Sequence, residues 1–457
     1  MKINAQILNK IRKYKALLIM VAFLLTIGCL FLLGVASSNA KLSDIFTTDR
    51  ISTLKNRPPE FTRDVVVDLS LCTNKGGVKT LTENIIVGIA QKKPNWRIIA
   101  ILSDHSNQDY YKLKKFRNIK LVNVKIQYDP FKNIIFSIVN LLTFNAFKLL
   151  FDQIVFFNEI IIDNKCDLYW KKDATSSILE FPHHKVSTVH DLIFIEASPA
   201  KKSNSTRFRG NLIEKCVLND DKIITVSNFS KRRILETFHI PENRLKMIHI
   251  KLAKRIHKPI PLKRQIDILN KYNLEKDKYL IFISVFWENK NHVALIRAFA
   301  KFLKQTGSDM KLVLAGSCPI GYGKFKDVAV VNKIEDRVIF TDYVSNEDLQ
   351  SLLSNAHAFI CPSIYEGFGM PIIEALEAGI PVACSNRASL PEVAGDAAVF
   401  FDPQNQDEMI QAMIKITSDN QLREKLRLLG YKQAEKFNDT DFMINEYVET
   451  FEEVMRK

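Results

Sequence analysis

Short apolar runs alternate along most of this chain with longer segments whose apolar positions fall three and four residues apart. An uninterrupted β-branched run suits a strand buried on both faces, and the wider spacing suits a helix with one apolar face. The run 64–69 (DVVVDL) predicts a first strand. Leu81, Ile85 and Ile89 then fit a helix face, and 96–102 (WRIIAIL) predicts a second strand. Further strands are expected at 185–188 and 222–226. The periodicity fades between about 250 and 278, where basic residues gather around Pro259 and Pro261, and then restarts. Strands are expected at 279–285, 311–315, 338–341, 357–361 and 381–385, with helices at 292–303, 346–354 and 371–378. Strand and helix in strict alternation predict parallel sheets, and two such series place a ligand in the cleft between them.

One segment breaks the pattern. Residues 16–36 are apolar without a charge. At about 1.5 Å per residue they reach across a hydrocarbon layer of roughly 30 Å. Lys2, Lys10, Arg12, Lys13 and Lys15 precede them with no acidic residue, so the positive-inside rule predicts a cytoplasmic N-terminus and a single-pass membrane protein. The run is longer than the apolar part of a cleaved signal, about 7–15 residues, which favours a retained anchor. Residues 133–163 are also apolar, but Lys148, Asp152 and Glu159 favour buried or interfacial helices there. The expected layout is a basic tail 1–15, an anchor 16–36 and a stalk 37–62. A first Rossmann-like domain 63–255, a linker 256–278 and a second such domain 279–440 follow, and a C-terminal helix 441–457 crosses back to the first domain.

Composition narrows the classes. A chain of 457 residues exceeds one core, and 47% hydrophobic with 25% charged residues excludes long disorder. A formal charge of +15 reads first as a lysine-rich composition whose charges are mostly solvated, and otherwise as attraction to anionic partners such as phosphate-bearing substrates and acidic lipid. No nucleic-acid recognition module accompanies it, so nucleic acid is not an expected partner. The seven cysteines form no C-x-x-C pair, which excludes a zinc ribbon and gives no disulfide framework.

Candidate chemistry is densest from Cys361 to Val382 (CPSIYEGFGMPIIEALEAGIPV). A strand ends at Pro362, and a turn containing Gly367 and Gly369 follows. Pro371 suits the first turn of a helix, and Gly379 its end. Such a turn lies at the carboxyl edge of a parallel strand, where backbone N–H groups and a helix N-terminus suit a phosphate. Glu366 on the turn and Glu374, expected in the first turn of the helix, suit recognition of hydroxyls.

This stretch resembles the donor-site signature of glycosyltransferase family 4, the group 1 glycosyltransferases of GT-B fold, and in particular their O-antigen and lipopolysaccharide mannosyltransferase-type members. The similarity continues through Ser389-Leu-Pro-Glu-Val-Ala-Gly-Asp-Ala-Ala and Asp402-Pro403. It is dense over about 279–403 and looser over 64–236. The resemblance implies an α/β fold of two Rossmann-like, doubly wound domains facing a cleft. It implies retaining transfer of a hexose, with mannose as first candidate, from a nucleotide-sugar donor to a glycan or glycolipid acceptor. No cofactor and no metal are implied.

The resemblance also assigns residues. Glu374 would bind the ribose and Glu366 the transferred sugar, while the backbone of Gly367, Phe368, Gly369 and Met370 would hold sugar and diphosphate. Lys290 would neutralise the leaving phosphate, and His190, in Ser187-Thr-Val-His-Asp, would face the sugar. Gly76 and Gly77 would form the first-domain glycine turn. Ser227 or Ser230 would cap a helix. Ser284 stands in the donor site where many members carry an arginine six residues before the lysine. That departure keeps open a non-catalytic protein that binds a nucleotide-sugar or a partner. A sugar-nucleotide epimerase is a further alternative. A dinucleotide enzyme is disfavoured because no G-x-G-x-x-G follows the first strand. The charge rule puts the catalytic body on the lumenal side, whereas the habit of the family's bacterial members puts it in the cytoplasm.

Overall fold

The computed structural model describes residues 57–69, 77–103, 110–124, 166–175, 184–196, 204–252 and 260–456. The basic tail, the apolar segment 16–36, nearly all of the stalk, the segment 133–163 and Gly76 lie outside them. Among the described residues no helix is long and apolar enough to cross a membrane.

The first half contains β1 (Arg63–Asp68), α1 (Gly77–Lys92), β2 (Trp96–Ser103), β3 (Ile119–Val124), β4 (Leu168–Lys171) and β5 (Lys185–Val189). A single helical turn Ile193–Glu196, α2 (Asn204–Asn219), β6 (Lys222–Thr225), α3 (Asn228–Phe238) and β7 (Leu245–Met247) complete it. The second half contains α4 (Leu262–Lys271), β8 (Tyr279–Ile283), α5 (His292–Thr306), β9 (Lys311–Ala315), α6 (Gly323–Val331) and β10 (Val338–Asp342). It continues with α7 (Asn346–Ser354), β11 (Ala358–Cys361), α8 (Met370–Glu377), β12 (Val382–Ser385), α9 (Leu390–Ala394) and β13 (Ala398–Phe401). Helices α10 (Gln406–Ser418), α11 (Asn420–Glu435) and α12 (Thr440–Met455) close the described chain.

The strands form two parallel sheets, ordered β3-β2-β1-β4-β5-β6-β7 and β10-β9-β8-β11-β12-β13. The expected doubly wound α/β architecture is therefore present twice. Each sheet changes direction at its first strand: β1 lies between β2 and β4, and β8 between β9 and β11. The crevice at the carboxyl ends of such a pair is where this architecture accepts ligands. The central strands are sealed on both faces, with Val65, Val66, Val67, Leu280, Ile281 and Phe282 all buried.

Some elements depart from the expected pattern. Strands β3, β4, β7 and β13 are not among the expected strands. In β4, Lys171 is buried and its ammonium lies 3.1 Å from the Asp220 carboxylate, so a charged residue occupies a strand interior. The stretch 256–278, read as a linker, carries helix α4, which buries only Ile268 and Leu269.

Helix α12 packs on α1, β4 and β5 of the first half. The Trp170 ring sits 5.5 Å from the rings of both Tyr447 and Phe451. Lys93 and Lys222 pair with Glu452 and Glu453 at 2.5 and 2.7 Å. Both pairs are open to solvent at the glutamate and contribute less than the aromatic burial. Phe451→Ala is accordingly expected to destabilise the fold by about 3–5 kcal/mol, measured by denaturant unfolding. A loss below about 1 kcal/mol would mean that α12 is not a structural brace.

Candidate active site

The carboxyl end of β8 runs into a tight path from Ser284 to Asn291. The Ser284 N–H donates to the Ala315 carbonyl, and a 3-10 turn covers Glu288–Lys290. Asn291 takes a left-handed conformation (φ 59°) before α5 begins. Asn289 ties this path to the strand-end segment of β11. Its carbonyl accepts the Ile364 N–H at 2.8 Å, and its side-chain amide donates to the Tyr365 carbonyl at 2.9 Å. Lys290 is thereby held over Glu366, with its Nζ 2.6 Å from Oε1. Both side chains are largely enclosed, at 19% and 14% exposure, so this pair sits in the crevice rather than on a solvated face.

The turn after β11 is fixed by its carbonyls. The Ser389 hydroxyl lies 2.9 Å from the Glu366 carbonyl and 2.8 Å from that of Phe368, sharing its one proton between them. From the other half, the Ser227 hydroxyl donates to the Gly367 carbonyl at 2.7 Å, and the same oxygen accepts the Ser230 N–H that opens α3. Gly367 itself touches the first half so closely that a Cβ would lie 2.4 Å from the His190 carbonyl oxygen. Only glycine fits there without a backbone shift. Phe368 is buried, 5.6 Å from the ring of Phe437.

Gly369 (φ 106°) precedes α8, Pro371 stands in its first turn, and Gly379 (φ 71°) follows its end. One expectation is corrected. Because α8 starts at Met370, Glu374 lies in the second turn and the first turn holds no acidic residue. Met370 reaches the first half, where a Cβ on Gly77 would lie 2.1 Å from its terminal methyl.

Burial sets the protonation of the neighbours. It lowers the pKa of His190 more than nearby Asp173 raises it, so the imidazole is neutral at neutral pH. The buried His190 Nε2 has no hydrogen-bond partner. Burial also pushes the Asp191 carboxyl up to about 6, against the pull of the Ile193 N–H and Lys290, with Glu366 adding repulsion. Ser284 turns its hydroxyl to His292 Nε2 at 3.2 Å. That imidazole is held to about 3 by burial, with Lys290 adding to the effect, and its ring stacks on Phe286 at 3.9 Å. Lys290 is thus the cation that faces Glu366, and Ser284 belongs to the packing beneath it. Cys166, Cys216, Cys361 and Cys384 are buried free thiols. Among the described residues no group of His, Cys, Asp and Glu is arranged to hold a metal ion.

The structure therefore brings Glu366, Lys290, Gly367 and the His190 backbone together, with Phe368, Gly369, Met370 and Gly77 beside them. Sequence reading missed Ser389 and Asn289 as supports of the turn, and Asp191 as a buried acid. It read Ser227 only as a helix cap, a role it fills while also binding Gly367. A serine immediately before a helix is a visible signal for a cap, but nothing local reveals the second bond.

Comparison with known proteins adds independent findings. The model of the family described as glycosyl transferases group 1 matches residues 265–433. Over 271 residues the chain is 31% identical to the O-antigen chain mannosyltransferase B of Escherichia coli, a match covering 57% of this chain and 69% of that protein. Among solved structures it is similar to a glycosyltransferase from Rickettsia africae ESF-5, at 17% identity and a TM-score of 0.62, covering 87% of this chain and 99% of that one. It is also similar to Anabaena Alr3699/HepE in complex with UDP-glucose, at 16% identity and a TM-score of 0.63, covering 86% and 100%. At such identities the two structures speak for the two-domain GT-B fold alone.

The raised Asp191 pKa has a signed consequence. The folded state holds this proton more tightly than an ordinary carboxyl near 3.8, so ionisation costs stability increasingly between pH 3.8 and about 6, and fully above. Asp191→Asn keeps an Oδ1 acceptor for the Ile193 N–H, which Asp191 binds at 3.0 Å. The variant should therefore melt a few degrees above the parent at pH 8, with the gap closing as pH falls towards 4. A gap that does not change with pH would contradict a buried, protonatable Asp191.

Proposed function

Because the chain belongs to the group 1 glycosyl transferases, we propose that it moves a hexose, with mannose as first candidate, from a nucleotide-diphosphate sugar to a hydroxyl of a glycan or glycolipid. The anomeric configuration is retained. The observation that carries this reading is the 2.6 Å pairing of Lys290 with Glu366 at the carboxyl edge of β8 and β11. A lysine in a crevice is a mobile point charge suited to phosphate oxygens. As the diphosphate enters, Lys290 exchanges its carboxylate partner for it, and Glu366 is released to accept hydroxyls of the sugar. The N–H groups of the 367–370 turn and the start of α8 stabilise the anion that forms as the glycosidic C1–O bond breaks. The acceptor oxygen bonds to C1 from the same face, and its proton passes to the departing phosphate oxygen. Retention follows from that shared face.

Other features support the same reading. The neutral His190 has an unpartnered Nε2 that a sugar hydroxyl would satisfy. Glu374, one turn into α8, is assigned to the ribose. Mannose rests on the likeness to the Escherichia coli mannosyltransferase, and the nucleotide-sugar class on the family and on the UDP-glucose bound by the Anabaena neighbour. No metal takes part in the proposed step. The apolar segment 16–36 is proposed to hold the enzyme at a membrane, beside a lipid-linked acceptor.

Full-length protein, in a fraction expected to resist alkaline extraction, would be screened for transfer from a panel of nucleotide sugars with and without chelator. Lys290→Ala should lower kcat by about a hundredfold or more for the accepted donor, chelator should have no effect, and NMR of the product should show the donor's anomeric configuration. An unaltered kcat in Lys290→Ala would remove the proposed mechanism. Donor binding without transfer in the parent protein would restore the non-catalytic reading.

A further inference from the structure

We infer that Glu392 is a positioning residue that latches the two halves together over the donor crevice, an inference that rests on the transfer reading above. Glu392 stands in α9 of the second half, yet the four groups that meet its carboxylate all come from the first. Oε1 accepts the Asn228 backbone N–H at 2.9 Å and the Asn228 side-chain amide at 2.9 Å. Oε2 accepts the Phe229 N–H at 3.1 Å, and His249 Nε2 lies 2.6 Å from Oε1.

Asn228 and Phe229 are the first two residues of α3, whose own cap Ser227 serves the Ser230 N–H and leaves theirs open. A carboxylate there meets orphan donors and the positive end of the helix together. Burial raises the Glu392 pKa, but the bonds from His249, Asn228 and Phe229 outweigh it and keep the group ionised. The joint borders an open groove of about 650 Å³ lined by residues of both halves, where the ring of Phe229 also meets that of Tyr365 edge-on at 5.5 Å.

The latch is mechanically continuous with the donor turn. On the first-half side, Ser227 binds the Gly367 carbonyl and Ser230 the His190 carbonyl, at 2.7 and 3.1 Å. On the second-half side, Ser389, immediately before α9, binds the carbonyls of Glu366 and Phe368. Seating Glu392 on α3 therefore presses Gly367 against His190 and fixes the turn that carries Glu366. Releasing Glu392 lets the halves part.

The test pairs kinetics with a distance measurement on the full chain. Glu392→Gln retains size but presents one acceptor and one amide donor to groups that all donate. It should lower kcat/KM for the donor by about tenfold. Spin labels at Leu218 and Val331, exposed positions on the two halves, should show a longer and broader distance distribution without donor. Asn228→Ala should act in the same direction by a smaller factor and add nothing to Glu392→Gln. Unchanged distances, unchanged kinetics, or additive losses in the double variant would each overturn the latch. If the parent shows no transfer, the functional reading fails, and the label distances still decide whether Glu392 holds the halves together.

Discussion

The geometry of the site depends on how closely one glycine can approach one carbonyl. Gly367 lies where any Cβ would come within 2.4 Å of the His190 carbonyl oxygen, and that contact brings the turn after β11 onto the strand-end His-Asp pair of the other half. With the turn in place, three serine hydroxyl groups bind its carbonyls from two directions. With those carbonyls engaged, the N–H groups of the turn are the part that the proposed transfer assigns to the anionic leaving group. Residues with side chains at this point would hold the halves apart and leave Lys290 and Glu366 as an ordinary ion pair.

That ion pair lets the crevice hold two enclosed charges. A largely enclosed ammonium and a largely enclosed carboxylate neutralise one another, so neither is left as an uncompensated charge. The same pairing makes the site selective for a ligand that offers more to the lysine than a carboxylate does. A diphosphate, with several oxygens and a higher charge, meets that condition. The neutral His190 beside the pair adds no further charge.

Much of this was legible in the sequence, because it is written locally. Continuous apolar runs revealed the central strands, and 361–379 contains strand end, turn, helix and stop in order. Strand β4 escaped because Lys171 and Asp220 neutralise each other inside the core, which the pattern of polar positions reads as surface. Helix α4 escaped because two buried residues leave little periodicity in a basic segment. Glu374 was misplaced by the helix starting one residue earlier than Pro371 suggested. Ser227 and Glu392 owe their roles in the site to contacts between residues more than a hundred apart, and no spacing along the chain encodes those.

The central claim is that Glu366 occupies Lys290 until a diphosphate displaces it. Titration calorimetry of the nucleoside diphosphate of the accepted donor into the parent protein and Glu366→Gln tests this directly. The account predicts that the variant binds the diphosphate more tightly than the parent, since its lysine no longer has to leave a carboxylate, even as sugar transfer is lost. Equal or weaker binding by Glu366→Gln would contradict it.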